Sequence, residues 1–171
     1  MRLPFFKSKP EDIAGVMFAH VVGFIDGVQF PGIEERQINL AELYILGHWL
    51  QVACVISAGG GATDHVLKVL ESYSKQVLSR SIHWLVQSNR IEEASIPAFQ
   101  SYIRENAQQH REEYDVALRT RGLMRNVAEI AVHHLIRSTT RAGNVAQEVE
   151  LLDGYLVALV DVAVPRLKAM L

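Results

Sequence analysis

The sequence predicts an all-α fold, a single-domain antiparallel bundle of about six helices spanning residues 1–171. Three observations carry this expectation. Apolar residues recur at helical spacing and nowhere in a sustained two-residue alternation. Helix-start signals recur along the chain, with glycines where helices should stop. The connections left between these marks are short, which makes successive helices antiparallel neighbours.

The first helix, about 10–30, begins at Ser8-Lys9-Pro10-Glu11, a Ser-x-x-Glu capping box with proline in the first turn, where its missing N–H costs nothing. The second, about 39–58, begins at Asn39-Leu40-Ala41-Glu42 and is apolar almost throughout. The third, about 63–89, follows Gly59-Gly60-Gly61 and opens at Thr63-Asp64. Its Val66, Leu70, Tyr73, Val77 and Leu85 share one face, and Lys68, Glu71, Lys75, Ser79 and His83 the other. The fourth, about 96–120, opens at Ser95 before Pro97 and ends at Gly122. Its polar run from Arg104 to Glu113 predicts a mostly solvated helix. The fifth, about 123–141, is closed by Gly143, and the sixth, about 145–169, opens at Asn144-Val145-Ala146-Gln147. Pro165 should bend the sixth helix by freeing the carbonyl of residue 161, and Asp161 should face solvent. The first, second and sixth helices are the most apolar and should form the centre.

Composition narrows the functional classes. At 49% hydrophobic and 21% charged residues the chain can bury a full core. A formal net charge of −2 supplies no field for nucleic acid or an anionic membrane. Nucleic-acid binding would also need a wide basic surface with interleaved aromatics, which is absent. The single cysteine, Cys54, makes no internal disulfide. Residues 1–7 lack the apolar core of a signal peptide. Glu42, His48, Gln51 and Ser57 interrupt Leu40–Ala58, which reads as a buried helix and not a membrane span. A cytoplasmic protein is expected.

Catalytic and metal motifs are missing from the linear pattern. The seven histidines include no His-x-x-x-His, Glu-x-x-His or His-Glu-x-x-His, so no metal ligands and no cofactor are assigned. His133 and His134 are adjacent, and their rings diverge by about 100° around a helix. Gly59-Gly60-Gly61-Ala62-Thr63 lacks both the lysine and the preceding strand of a phosphate loop. No nucleophile has a base at a useful spacing, and the chain is read as non-enzymatic.

Three helix faces hold the functional candidates. Gly15, Ala19, Gly23 and Gly27 put small residues along one edge of the first helix, an edge that suits close backbone approach within the chain or between subunits. Tyr44, His48 and Gln51 on the second helix, with His20 and His134, are polar groups among apolar ones. They are core residues bonded to backbone or the lining of a ligand pocket. Arg125, Arg137 and Arg141 share an edge of the fifth helix with Glu129 and His133, as an anion contact or as a solvated face laced by i,i+4 pairs. The leading expectation is a homodimeric helical interaction protein with a possible protein partner, binding neither nucleic acid nor membrane. The alternative is a small-molecule or cofactor-binding bundle with a pocket between the first, second and fifth helices.

Overall fold

The structure, a computed structural model, describes residues 8–136 and 145–171, the Arg121 side chain excepted. The described residues form six α-helices: α1 (Pro10–Gly27), α2 (Leu40–Ala58), α3 (Asp64–Gln87), α4 (Ile96–Arg121), α5 (Met124–Leu135) and α6 (Ala146–Met170). Short 3-10 turns, Glu35–Gln37 and Glu93–Ser95, precede α2 and α4. No strand occurs among the described residues, and the all-α bundle is as the periodicity predicts.

The helix ends follow local chemistry, with some corrections. Thr63 caps α3, its hydroxyl accepting from the Val66 N–H at 3.3 Å. Gly122 ends α4 in the left-handed conformation, φ 67°. At α1 the capping residue is Lys9, and no side chain caps it. The Ser8 N–H donates instead to the Met170 carbonyl at 3.1 Å, tying the start of α1 to the end of α6. Asn39 flanks α2 without a side-chain cap bond. Helix α1 stops at Gly27, where Val28 turns extended ahead of Pro31. Helix α5 stops at Leu135 because the chain leaves to pair with the segment before α2: Ile136 bridges Ile38, and the Asn39 N–H donates to the Leu135 carbonyl at 2.8 Å. The expected stop at Gly143 and start at Asn144 lie outside the described residues.

Helix α2 is the axis and touches all five other helices. Every residue from Leu40 to Gln51 is buried. By length and composition α2 is apolar enough to cross a membrane, but 72% of its apolar window is enclosed by the other helices. Helix α4 is mostly solvated, as expected, but it also carries a buried stripe that the expectation did not include. Phe99, Ile103, Ala107, His110, Tyr114 and Ala117 recur at three- and four-residue steps and are buried as one stripe. The charged run hides this stripe because only Ala107 and His110 within it face inward.

The small-residue edge of α1 is not a contact within the described chain. Ala19, Gly23 and Gly27 are exposed, and a Cβ at Gly15, Gly23 or Gly27 would meet nothing within 4 Å. The close approach of α1 and α2 uses Gly47 instead, where Phe24 Cδ1 would lie 3.1 Å from an added Cβ. At Gly59 an added Cβ would overlap Val66 Cγ2. Chemical denaturation should therefore separate the glycines. Gly23→Ala should raise stability by about 0.5–1 kcal/mol, from helix propensity alone. Gly59→Ala should lower it by about 1–3 kcal/mol through overpacking. Destabilisation by Gly23→Ala would mean that this edge is covered.

Candidate functional site: an acid–imidazole cluster

Glu42 sits in the first turn of α2, where the helix N-terminus favours a carboxylate. Its side chain is fully buried. Three donors from α4 converge on it. The Tyr102 hydroxyl donates at 3.0 Å, His110 Nδ1–H at 2.7 Å, and the Tyr114 hydroxyl makes a short bond to the other oxygen. Positions 102, 110 and 114 lie on one face of α4 because they are two turns and one turn apart. An ionised carboxylate accepts only, so three converging donors are the complement it requires. Burial, then the Glu42 charge, pushes the Tyr114 hydroxyl far above its ordinary pKa and keeps it a donor.

The network continues outward. The His110 ring stacks on His134 of α5, centroids 3.8 Å apart and planes 16° from parallel. His134 Nε2–H donates to Glu113 Oε2 at 2.9 Å. Hydrogen bonds from Gln109 and then His134 hold the Glu113 carboxyl below its ordinary pKa. Side-chain exposure rises along the chain of contacts, from 0% at Glu42 to 25% at His134 and 33% at Glu113. Potential ligand atoms of His110, Glu113 and His134 all lie within 4.8 Å of one another. Beside the cluster, Trp49 Nε1 donates to Asp115 Oδ1 at 2.9 Å and joins α2 to α4 a second time. On its other side Tyr102 lines a cavity of about 950 Å³ with Ala41, Phe99 and Arg90.

The polar residues expected in one pocket fall into three places. His20 and Gln51 bond to each other across α1 and α2 at 2.9 Å, and the Nε2 atoms of both are buried without a hydrogen-bond partner among the described residues. His48 lies between Tyr44 and Tyr73, stacked on both, and shares a 3.2 Å hydrogen bond with the Tyr73 hydroxyl. His134 faces α4, away from either group. These groups sit on different sides of α2, and a separate polar cluster lies between α2, α4 and α5. Both core histidines bond to side chains and not to backbone. Arg125 is exposed and pairs with Glu129 at 3.7 Å, while Arg137 and Arg141 lie outside the described residues. Five residues of the cluster were not anticipated: Glu42, Tyr102, His110, Glu113 and Tyr114. The available signals were a lone acid in an apolar helix and the His110-x-x-Glu113 spacing, which sets both side chains on adjoining turns.

No protein family, curated protein or solved structure matches the chain.

Burial lowers the pKa of His48 to about 4, with the Arg111 charge adding to the effect. Burial also lowers His20. The unfolded chain therefore binds more protons than the native one below the ordinary histidine pKa of about 6.5, and stability falls with pH in that range. Between pH 6.5 and 4, His48 alone should cost about 3 kcal/mol, read by urea unfolding at stepped pH. The slope should be shallower in His48→Gln. An equal slope in that variant would place the pH sensitivity elsewhere.

Proposed function

We propose that the chain is a small-ligand-binding helical bundle, with the acid–imidazole cluster of α2, α4 and α5 as its binding site. The observation that carries this reading is the Glu42 carboxylate, fully buried in the most apolar helix and linked through His110 to two part-exposed groups, His134 and Glu113. Fold stability does not ask for such an arrangement. Burying an ionised network roughly cancels against its own desolvation, and apolar side chains of equal volume commonly do as well or better. Sequences depart from that choice chiefly at functional sites. The exposure gradient adds to the argument, because it gives the cluster a face that a ligand can reach.

The stabilities of variants test this. Tyr114→Phe removes a buried donor from Glu42 and should cost about 1–3 kcal/mol in denaturant unfolding. His134→Ala and Glu113→Gln remove only the part-exposed half and should cost less than about 1 kcal/mol. If either outer variant costs as much as Tyr114→Phe, the cluster is a structural network and the binding reading falls.

A second reading is a cytoplasmic, homodimeric interaction protein. The exposed edge Gly15, Ala19, Gly23, Gly27 favours it, since an open stripe of small residues suits close approach by a second copy's helix. In light scattering the purified protein should then have the mass of a dimer. Ala19→Leu should convert it to a monomer with its helicity retained. A monomeric wild-type protein at high concentration excludes this reading.

A further inference from the structure

We infer that the cluster binds one divalent transition-metal ion of the zinc or iron(II) class, with His110, Glu113 and His134 as ligands. This rests on the binding-site reading above. Two imidazoles and one carboxylate are a ligand set that both ions use, with the remaining positions left to water or substrate.

Three features of the cluster support the assignment. His110 is prepared as a ligand: its Nδ1–H is committed to Glu42 at 2.7 Å, which fixes the ring and leaves Nε2, with no protein partner among the described residues, as the coordinating nitrogen. A carboxylate behind a histidine is the usual support of a metal-bound imidazole, because it sets the tautomer and raises the basicity of the ring. Glu42 is itself oriented by two tyrosine hydroxyls and so is a rigid support. Glu113 is one helical turn from His110, and its carboxylate oxygens accept from Gln109 at 2.9 Å and from His134 at 2.9 Å.

The chemistry of the donor set points the same way. The cluster holds two carboxyl groups, Glu42 and Glu113, and among the described residues neither makes an ion pair with a lysine or arginine.

The stacked arrangement also defines what binding changes. Nearly parallel rings 3.8 Å apart do not aim their lone pairs at one point. Metal–nitrogen distances of about 2.0–2.1 Å require them to converge. His110 is held by Glu42, so His134 is the ring that turns. It gives up its bond to Glu113, and both groups then face the ion. Their partial exposure provides the room.

Cobalt(II) and zinc(II) titrations of the full chain test the inference. One equivalent of cobalt(II) should produce visible absorption bands, and zinc(II) should displace them. His134→Ala and Glu113→Gln, both conservative for the fold, should abolish the bands. Glu42→Gln should weaken zinc binding by about 10–100-fold while leaving all three ligands in place, an effect expected only of a supporting carboxylate. His133→Ala changes an exposed neighbour outside the cluster and should bind as the unaltered chain does. Absence of saturable cobalt binding by the folded protein overturns the inference. So does equal loss in His133→Ala and His134→Ala, which would indicate surface histidines as the ligands. A protein that fails to bind metal yet keeps its stability in His134→Ala rejects the metal and leaves the binding-site reading standing. Strong destabilisation in that variant rejects the site reading itself.

Discussion

A carboxylate enclosed on the most buried helix obliges its surroundings to supply donors, and much of the architecture answers that demand. Glu42 draws Tyr102, His110 and Tyr114 onto one stripe of α4, which fixes the rotation of α4 about its axis. Trp49 and Asp115 fix its height along α2. The His110 ring also meets α5 through the stack with His134. A polar group so placed discriminates among packings: any rotation of α4 by one residue would strand the charge, at a cost of several kcal/mol. Apolar contacts alone tolerate such slips far better.

The rest of α2 is held by shape. Twelve consecutive buried residues leave no polar face, so each side of the helix must be covered by a different neighbour. Gly47 lets the Phe24 ring of α1 lie against the α2 backbone, and the turn at Gly59 leaves room for Val66 of α3. These two glycines act through the space that they leave, whereas the glycines of α1 border no neighbour among the described residues.

Helix number, order and most boundaries were legible in the sequence because they depend on local signals: apolar period, Pro10 and Pro97 in first turns, Thr63 as a cap and Gly122 as a stop. The site was legible only in pieces. His20, His48, Gln51 and Tyr44 were recognised as polar groups in apolar settings, and they are buried. Their pairing was not, because it depends on which way each side of α2 faces. Glu42 looked like an interruption of an apolar run, and its donors lay in a helix whose charged surface concealed the inner stripe. The cluster leaves no spacing signature along the chain, since His134 comes from a different helix than His110 and Glu113.

The separation of these partners in sequence has a kinetic side. The three residues that satisfy Glu42 lie 60, 68 and 72 positions beyond it, and the bridge from Ile38 to Ile136 closes a loop longer still. Local helices form in microseconds, but such distant closures cost chain entropy first and slow the search. Helix α6, the last of the six to leave the ribosome, also covers α2. During synthesis α2 is therefore an apolar cylinder with an unsatisfied acid and an incomplete shell. That places its greatest risk of aggregation in the interval before α6 arrives.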